Sequence, residues 1–241
     1  MKITGPLFKW YGSKWMSSRY YSAPPKDHEI IEPFAGGAGY SLRYFDHAVT
    51  IAERDEHVHN LWRWLIYGAT EHQIREIPLD IPEGTDIRTI GLSYGQQLLL
   101  KHWQRTNNVG NCWTISPWGN KPGQWTANTR SRVASEVHLI RHWKIVQDGF
   151  ALLDEKRDAH AQWFIDPPYQ FNYKYATGPV SYPRLADAVM ALRGRAIVCE
   201  ALDPKTGERP TWLPFETFRD TVTSRRKAHQ SHHSKELLFQ K

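Results

Sequence analysis

Residues 28–39, His-Glu-Ile-Ile-Glu-Pro-Phe-Ala-Gly-Gly-Ala-Gly, decide the fold of this chain. The apolar centre of residues 28–32 is typical of a short buried strand, and Pro33 ends it. The glycines that follow let the backbone turn tightly and approach a ligand closely. A strand that leads into such a loop begins many parallel α/β nucleotide-binding units. The loop could also be an ordinary strand-to-helix turn, because it matches neither GxGxxG nor the P-loop.

The next thirty or so residues continue this alternation of strands and helices. The sequence predicts a helix over 40–46, a strand over 49–52 and an amphipathic helix over 57–67. Glu53 follows the second strand, about twenty residues beyond the loop, where a carboxylate can accept hydrogen bonds from both ribose hydroxyls. Asp55 competes for this role, and the acids could instead serve the N-terminus of the following helix. The pattern predicts a parallel α/β sheet.

The alternation stops after residue 67 and resumes near residue 143. Doubly wound sheets need only short crossovers, so the excess predicts an inserted domain over 68–142. Residues 1–67 and 143–241 would then form the main domain. Within the insert, helices are predicted over 92–105 and 129–143. The later predicted elements are strands at 144–147, 162–165 and 195–199, a helix at 182–192, and an antiparallel hairpin of 220–223 with 236–239.

Composition narrows the class of protein and of partner. The chain has 241 residues, of which 40% are hydrophobic, and a net charge of +6, which is compatible with a polyanionic partner. Cys112 and Cys199 show no zinc-ligand spacing, so the sequence predicts no metal site and a reducing, cytoplasmic compartment. No apolar stretch approaches the length of a membrane span, so no membrane association is expected.

The most specific motif is Asp166-Pro167-Pro168-Tyr169, directly after the apolar run 163–165. Two prolines fix the backbone and remove two amide donors. The Asp166 carboxylate and the Pro167 carbonyl can then face one point as acceptors for both hydrogens of an exocyclic amine. Tyr169 offers a ring on which a flat base can stack. The alternative to a catalytic role is a structural one, in which the motif forms a rigid turn with Asp166 as a cap.

This tetrapeptide resembles the catalytic motif of the amino-group DNA methyltransferases, and three further stretches agree. Residues 8–14, Phe-Lys-Trp-Tyr-Gly-Ser-Lys, resemble the Lys-Trp-x-Gly-Gly-Lys motif of the Dam-like adenine methyltransferases, with Ser13 in place of a glycine. Residues 32–39 resemble their Glu-Pro-Phe-x-Gly-x-Gly cofactor loop, with one extra residue. Residues 196–200 resemble a later core strand. The order of the motifs is that of the alpha class, whose insert is the target-recognition domain.

The resemblance covers residues 7–67 and 143–240 and is weak across 70–130. It implies a Rossmann-like class I methyltransferase sheet, mostly parallel with a C-terminal antiparallel hairpin, and a mainly helical inserted target-recognition domain. It also implies S-adenosylmethionine as the cofactor and site-specific N6-methylation of adenine in double-stranded DNA. The catalytic residues would be Asp166, Pro167, Pro168 and Tyr169. The expected cofactor-binding residues are Trp10, Lys14, Glu32, Pro33, Phe34, Ala35, Gly36, Gly37, Gly39, Glu53, Asp148 and Asp166.

In the reaction that the resemblance implies, Asp166 and the Pro167 carbonyl accept the two hydrogens of the amine, and its nitrogen attacks the sulfonium methyl. This reaction needs no metal. The target adenine lies inside a duplex, so it must be flipped out and stacked, with Tyr169 as the expected partner. The protein is expected to be a monomer or a weak dimer. By analogy, it would act in a bacterial or phage-infected host cell, in restriction-modification or phage anti-restriction. Four cationic residues of the insert are candidates for DNA contact: Arg105, Lys121, Arg130 and Arg132.

Two other functions compete with this interpretation. Related tetrapeptides serve planar amines generally, so the substrate could be structured RNA or a protein amide. Those relatives usually carry Asn where this chain has Asp166, and the Lys-Trp motif would not be expected in them. The chain could also be a DNA-binding module with a vestigial cofactor site, although its tetrapeptide is intact. The basic stretch 225–233 near the C-terminus is a further candidate DNA contact.

Overall fold

The computed structural model describes residues 2–104, 112–117, 123–171, 178, 180–214, 219–225 and 234–240. Seven strands form one sheet in the order β3-β2-β1-β4-β5-β7-β6. The strands are β1 (Glu29–Glu32), β2 (Val49–Ala52), β3 (Lys144–Val146), β4 (Ala161–Ile165), β5 (Arg195–Ala201), β6 (Arg219–Arg225) and β7 (Ser234–Gln240). The described α-helices are α1 (Glu56–Tyr67), α2 (Glu71–Arg75), α3 (Tyr94–Trp103), α4 (Ala127–Glu136), α5 (Gly149–Lys156) and α6 (Tyr182–Ala191).

The first five strands are parallel, so the protein has an α/β fold compatible with a Rossmann-like architecture. β2 and β4 are buried along their whole length, as expected of strands covered on both faces. β7 pairs antiparallel with β5, and β6 pairs antiparallel with β7. The two segments for which the sequence predicts a hairpin lie within β6 and β7. The residues between them, 226–233, lie outside the described residues.

Strand order fixes where a ligand can bind. β1 lies between β2 and β4, so the chain leaves β1 in one direction and returns on its other side. Helices on opposite faces diverge at such a switch point, and a crevice opens beyond the carboxyl ends of the strands. Residues 33–39 follow β1 there, and Asp166 follows β4.

The two faces of the sheet carry separate apolar clusters. One contains Leu152 and Leu153 of α5 with Leu185 and Val189 of α6. The other contains α1 together with α3, α4 and the N-terminal segment, so the residues predicted as an insert share a core with Leu7 and Phe8. The division into two domains stays a prediction. Among the described residues, no helix combines the length and the apolar character needed to cross a bilayer.

The predicted helix at 40–46 is wrong. Only a 3-10 turn, Ser41–Tyr44, forms there. Glu32 Oε1 accepts hydrogen bonds from the backbone N–H and the hydroxyl of Ser41, at 2.6 and 2.7 Å. The Tyr40 ring stacks on Phe164 with centroids 4.6 Å apart. These tertiary contacts determine the local backbone in place of a regular helix.

Arg141 joins the end of α1 to the chain that leads into β3. Its guanidinium donates to the carbonyl oxygens of Leu65 and Ile66, at 2.9 and 2.7 Å, and to that of Ala69. These carbonyls lie at or just beyond the end of the helix, where intrahelical partners run out. The arginine thus holds together the two places at which the chain enters and leaves residues 70–140.

Candidate functional site

Two adjoining hollows open beyond the carboxyl ends of β1, β2 and β4. The glycine-loop hollow is lined by residues 10–14, Glu32, residues 34–37, Gly39, Phe164 and Asp166. The Glu53 hollow is lined by Trp10, Pro33, Phe34, Gly36, Glu53, Arg54, Asp148, Gly149, Phe150, Asp166, Pro168, Gly178 and Val180. Four residues line both, so the hollows form one cleft. The Glu53 hollow is the larger of the two and is open to solvent at its mouth.

The glycine loop is shaped by the N-terminal segment lying directly on it. Gly36 has a φ of +47°, a conformation that favours glycine, and a Cβ there would collide with the Trp10 indole. A Cβ on Gly39 would collide with the backbone of Lys14 and Trp15. The loop carbonyl of Gly36 accepts a hydrogen bond of 2.8 Å from the indole nitrogen of Trp62. The loop and residues 10–15 therefore form one tightly packed wall of the cleft.

Glu53 and Asp55, the two candidates for the acid after β2, have different surroundings. Glu53 is buried, lines the cleft, and accepts hydrogen bonds of 2.8 Å from the N–H groups of Gly36 and of Asp55. Burial raises the pKa of Glu53 to about 7. The Asp55 carboxylate caps α1 by accepting from His57 N and Val58 N, at 2.9 and 3.2 Å. The geometry favours Glu53 as the ligand-facing acid and gives Asp55 the N-cap.

Three titratable side chains meet at the centre of the cleft: Lys14, Glu32 and Asp166. Lys14 Nζ lies 2.6 Å from Asp166 Oδ2, donates to the Gly12 carbonyl at 2.9 Å, and lies 5.2 Å from the centre of the Tyr169 ring. Glu32 is buried beneath them, and this burial raises its pKa to about 8. The Lys14 ammonium thus holds the Asp166 carboxylate in one orientation inside the cleft.

The far wall of the Glu53 hollow comes from the start of α5. Asp148 Oδ1 caps this helix by accepting from Phe150 N and Ala151 N, at 2.8 and 3.2 Å. The Phe150 ring meets Phe34 edge to face, with centroids 5.9 Å apart. Phe150 was not selected from the sequence. The available signal was its position just after Asp148, which caps the helix that follows β3. The two rings give the hollow an aromatic wall.

Most residues predicted to bind a cofactor are thus brought together, including Trp10, Lys14, Glu53 and Asp148. Pro168 and Asp166 line the cleft. Pro167 and Tyr169 are not among the described residues that line the cleft. Tyr169 instead packs beside Lys14 and against the apolar core. Within the described part of the chain, no three His, Cys, Asp or Glu side chains converge as metal ligands would.

Comparison with known proteins adds nothing to this geometry. No protein-family model matches the chain, and no curated protein matches it either. The functional interpretation therefore depends on the residues of the cleft.

Two of the four candidate DNA contacts, Arg105 and Lys121, lie outside the described residues. Arg130 Nη1 donates to the Ile77 carbonyl at 3.0 Å. The Arg132 guanidinium donates to Glu136 at 2.8 Å and to the Pro6 carbonyl at 2.7 Å, which are internal contacts. A role of these residues in DNA contact stays a prediction.

Proposed function

We propose that this protein is a site-specific DNA methyltransferase that transfers a methyl group from S-adenosylmethionine to N6 of a flipped adenine. One observation carries the proposal: Asp166, first residue of the Asp-Pro-Pro-Tyr motif, lines both hollows of a cleft at the switch point of a parallel sheet. The antiparallel β6–β7 pair at one end of the sheet also suits the methyltransferase-like fold that the resemblance implies.

The chemistry of the cleft residues suits S-adenosylmethionine. The absence of side chains at Gly36 and Gly39 lets Trp10, Lys14 and Trp15 lie directly on the loop, which brings two expected cofactor-binding residues, Trp10 and Lys14, to the cleft. Glu53 offers a buried carboxylate suited to two ribose hydroxyls, and the Phe34 and Phe150 rings are suited to a purine. Lys14 offers an ammonium for the carboxylate of the methionine end.

The bound cofactor would supply a sulfonium methyl group, and the chain would supply position and electrostatics. Asp166 accepts one hydrogen of the adenine amine, and the Pro167 carbonyl is the expected acceptor of the other. These bonds favour a pyramidal nitrogen whose lone pair is no longer delocalised into the ring. As the nitrogen gains the methyl group and the methyl–sulfur bond breaks, the amine loses one proton, which would pass to Asp166 and then to solvent. Lys14 Nζ, 2.6 Å from Asp166 Oδ2, holds the Asp166 side chain in place beside the target amine. Tyr169, next to this pair, is the expected stacking surface for the flipped base.

The test is methyl transfer from labelled S-adenosylmethionine to DNA, with structured RNA and peptide amides as competing substrates. Asp166→Ala should abolish transfer while cofactor binding, measured by calorimetry, persists. Asp154→Ala is the matched control, because Asp154 is exposed and pairs only with Arg184 among the contacts described. Retention of a tenth of the parent turnover by Asp166→Ala, or transfer to RNA or peptide in place of DNA, would refute the proposal.

The proposal assigns DNA recognition to residues 68–142 and chemistry to the sheet. Each phosphate contact should lower affinity by about one log unit per log unit of salt. Competition assays on Arg105→Ala, Lys121→Ala, Arg130→Ala and Arg132→Ala separate contact types. Loss of a phosphate contact weakens all sequences equally, whereas loss of a base contact costs about 1–3 kcal/mol at one base pair. If all four variants behave like the parent, residues 225–233 become the first alternative surface.

A further inference from the structure

Glu200 is a buried acid beside the catalytic motif to which the proposed reaction gives no part. It lies near the end of β5 and is completely inaccessible to solvent. β5 pairs with β4, whose last residue, Ile165, precedes Asp166. Burying a carboxyl group is unfavourable unless hydrogen bonds compensate. The groups that donate hydrogen bonds to Glu200 therefore indicate its role.

Three N–H groups donate to the Glu200 carboxylate. Oε2 accepts from the Trp212 indole at 2.8 Å and from the backbone N–H of Gln170 at 3.2 Å. Oε1 accepts from the N–H of Ala201 at 3.0 Å. Gln170 directly follows Tyr169, so one of these bonds reaches the backbone next to the last residue of the motif. The carboxylate thus connects that backbone to the segment that follows β5.

A second set of contacts ties the same two segments. The Gln170 side chain accepts from the Thr211 N–H at 2.9 Å and donates to the Thr211 hydroxyl at 3.2 Å. The Tyr182 hydroxyl donates to the Pro168 carbonyl at 2.9 Å, and the Tyr182 ring packs against Trp212. The backbone is therefore held on both sides of Tyr169. We call these contacts the Glu200 clamp.

We propose that Glu200 is a positioning residue, which acts through Gln170 and Trp212 to fix Tyr169 for the target base. This inference rests on the proposed function, in which Tyr169 stacks on that base. Preorganisation is what the clamp supplies, because a stacking surface displaced by about 1 Å can cost 100-fold in rate. Burial, with the negative charge of Asp166 as a lesser cause, raises the pKa of Glu200 to about 7.

The experiment compares Glu200→Leu, which removes the acceptors, with Glu200→Gln, which keeps one oxygen for Trp212 and Gln170. Val198→Ala is the control for lost stability, because Val198 lies buried on the same strand in the apolar cluster of α5 and α6. Two readouts are measured on the full chain: amide hydrogen exchange, and kcat with KM for DNA and cofactor. Within residues 166–170 only Asp166, Tyr169 and Gln170 carry amide hydrogens, so a peptide from this region reports on the clamp.

Glu200→Leu should speed exchange at Tyr169 and Gln170 by about tenfold or more, and should lower kcat by about tenfold or more with KM for the cofactor unchanged. In Glu200→Gln the exchange rate and kcat should both lie within about threefold of the parent values. Val198→Ala should leave both quantities at the parent level. Unchanged exchange in Glu200→Leu overturns the inference, as does faster exchange with unchanged kcat. If the parent chain methylates no DNA, the proposed function fails by itself, whereas the exchange readout still tests the clamp.

Discussion

Replacement of Glu53 by alanine removes a carboxylate to which we assign two roles. Its carboxylate anchors the glycine loop through Gly36 N and accepts from Asp55 N, each at 2.8 Å. It is also the group that we assign to the cofactor ribose. Loss of one hydrogen bond to a charged group weakens binding by about 1.5–3 kcal/mol. Glu53→Ala should therefore raise the Kd for S-adenosylmethionine about 10- to 150-fold.

Asp55→Ala is the matched control, because it removes the neighbouring acid, which caps α1. Loss of an N-cap costs about 1 kcal/mol of stability, so Asp55→Ala should lower Tm with the Kd changed by less than about threefold. Isothermal titration calorimetry gives the Kd, and thermal unfolding in the absence of cofactor gives Tm. If Asp55→Ala weakens binding and Glu53→Ala does not, the assignment of the ribose acid is refuted.

Three further predictions concern stability and the wall of the cleft. Because burial raises the pKa of Glu32 from 4.5 to about 8, its contribution to stability is complete below about pH 4.5 and is lost as pH rises through 8. The free energy of unfolding should therefore fall as pH rises from about 4.5 to 8 and level off above that, with a smaller fall in Glu32→Gln. Gly39→Ala should displace the backbone of Trp15, costing about 1–3 kcal/mol and weakening cofactor binding. Arg141→Met keeps the length of the side chain but removes its donors, and should destabilise the fold by about 1–3 kcal/mol.

Urea titrations at several pH values test the first and third of these, and calorimetry tests the second. Arg157→Met controls for Arg141→Met, since the Arg157 side chain is 64% exposed. Equal slopes against pH in the parent and Glu32→Gln would show that Glu32 titrates normally. Parent-like cofactor affinity in Gly39→Ala would mean that the N-terminal segment does not form the wall of the site. Equal stability of the two arginine variants would refute the role of Arg141.

The parallel strands could be predicted from sequence because their signal is local. Runs such as Ile30-Ile31 and residues 163–165 are apolar without interruption, and each predicted parallel strand begins and ends within two residues of the observed one. The helix predicted over 40–46 fails because side-chain contacts from Glu32 and Phe164 override the local pattern. α2 and α5 were missed, since each is short and carries no long periodic pattern.

In the candidate site, too, some residues could be predicted from the sequence and others could not. The glycine loop, Glu53 and the Asp-Pro-Pro-Tyr motif could be selected because each follows a strand in a recognisable order. The choice between Glu53 and Asp55 required coordinates, because both lie at plausible spacing. The role of Glu200 could not be predicted, although residues 196–200 resemble a core strand, because its partners Gln170 and Trp212 come from other segments of the chain.

The bonds from Arg141 to the end of α1 have a consequence for how this protein can vary in length. Because they fix the entry and exit of residues 70–140 beside one another, a change in the length of the loops between them does not by itself separate β3 from β2. The entropy of closing a loop grows only logarithmically, by about 0.6 kcal/mol for each doubling of its length. Insertions and deletions that spare the packed faces of α3 and α4 should thus leave β3 paired with β2. The region that we assign to target choice is therefore one whose loops can change in length while the parallel strands keep their pairing.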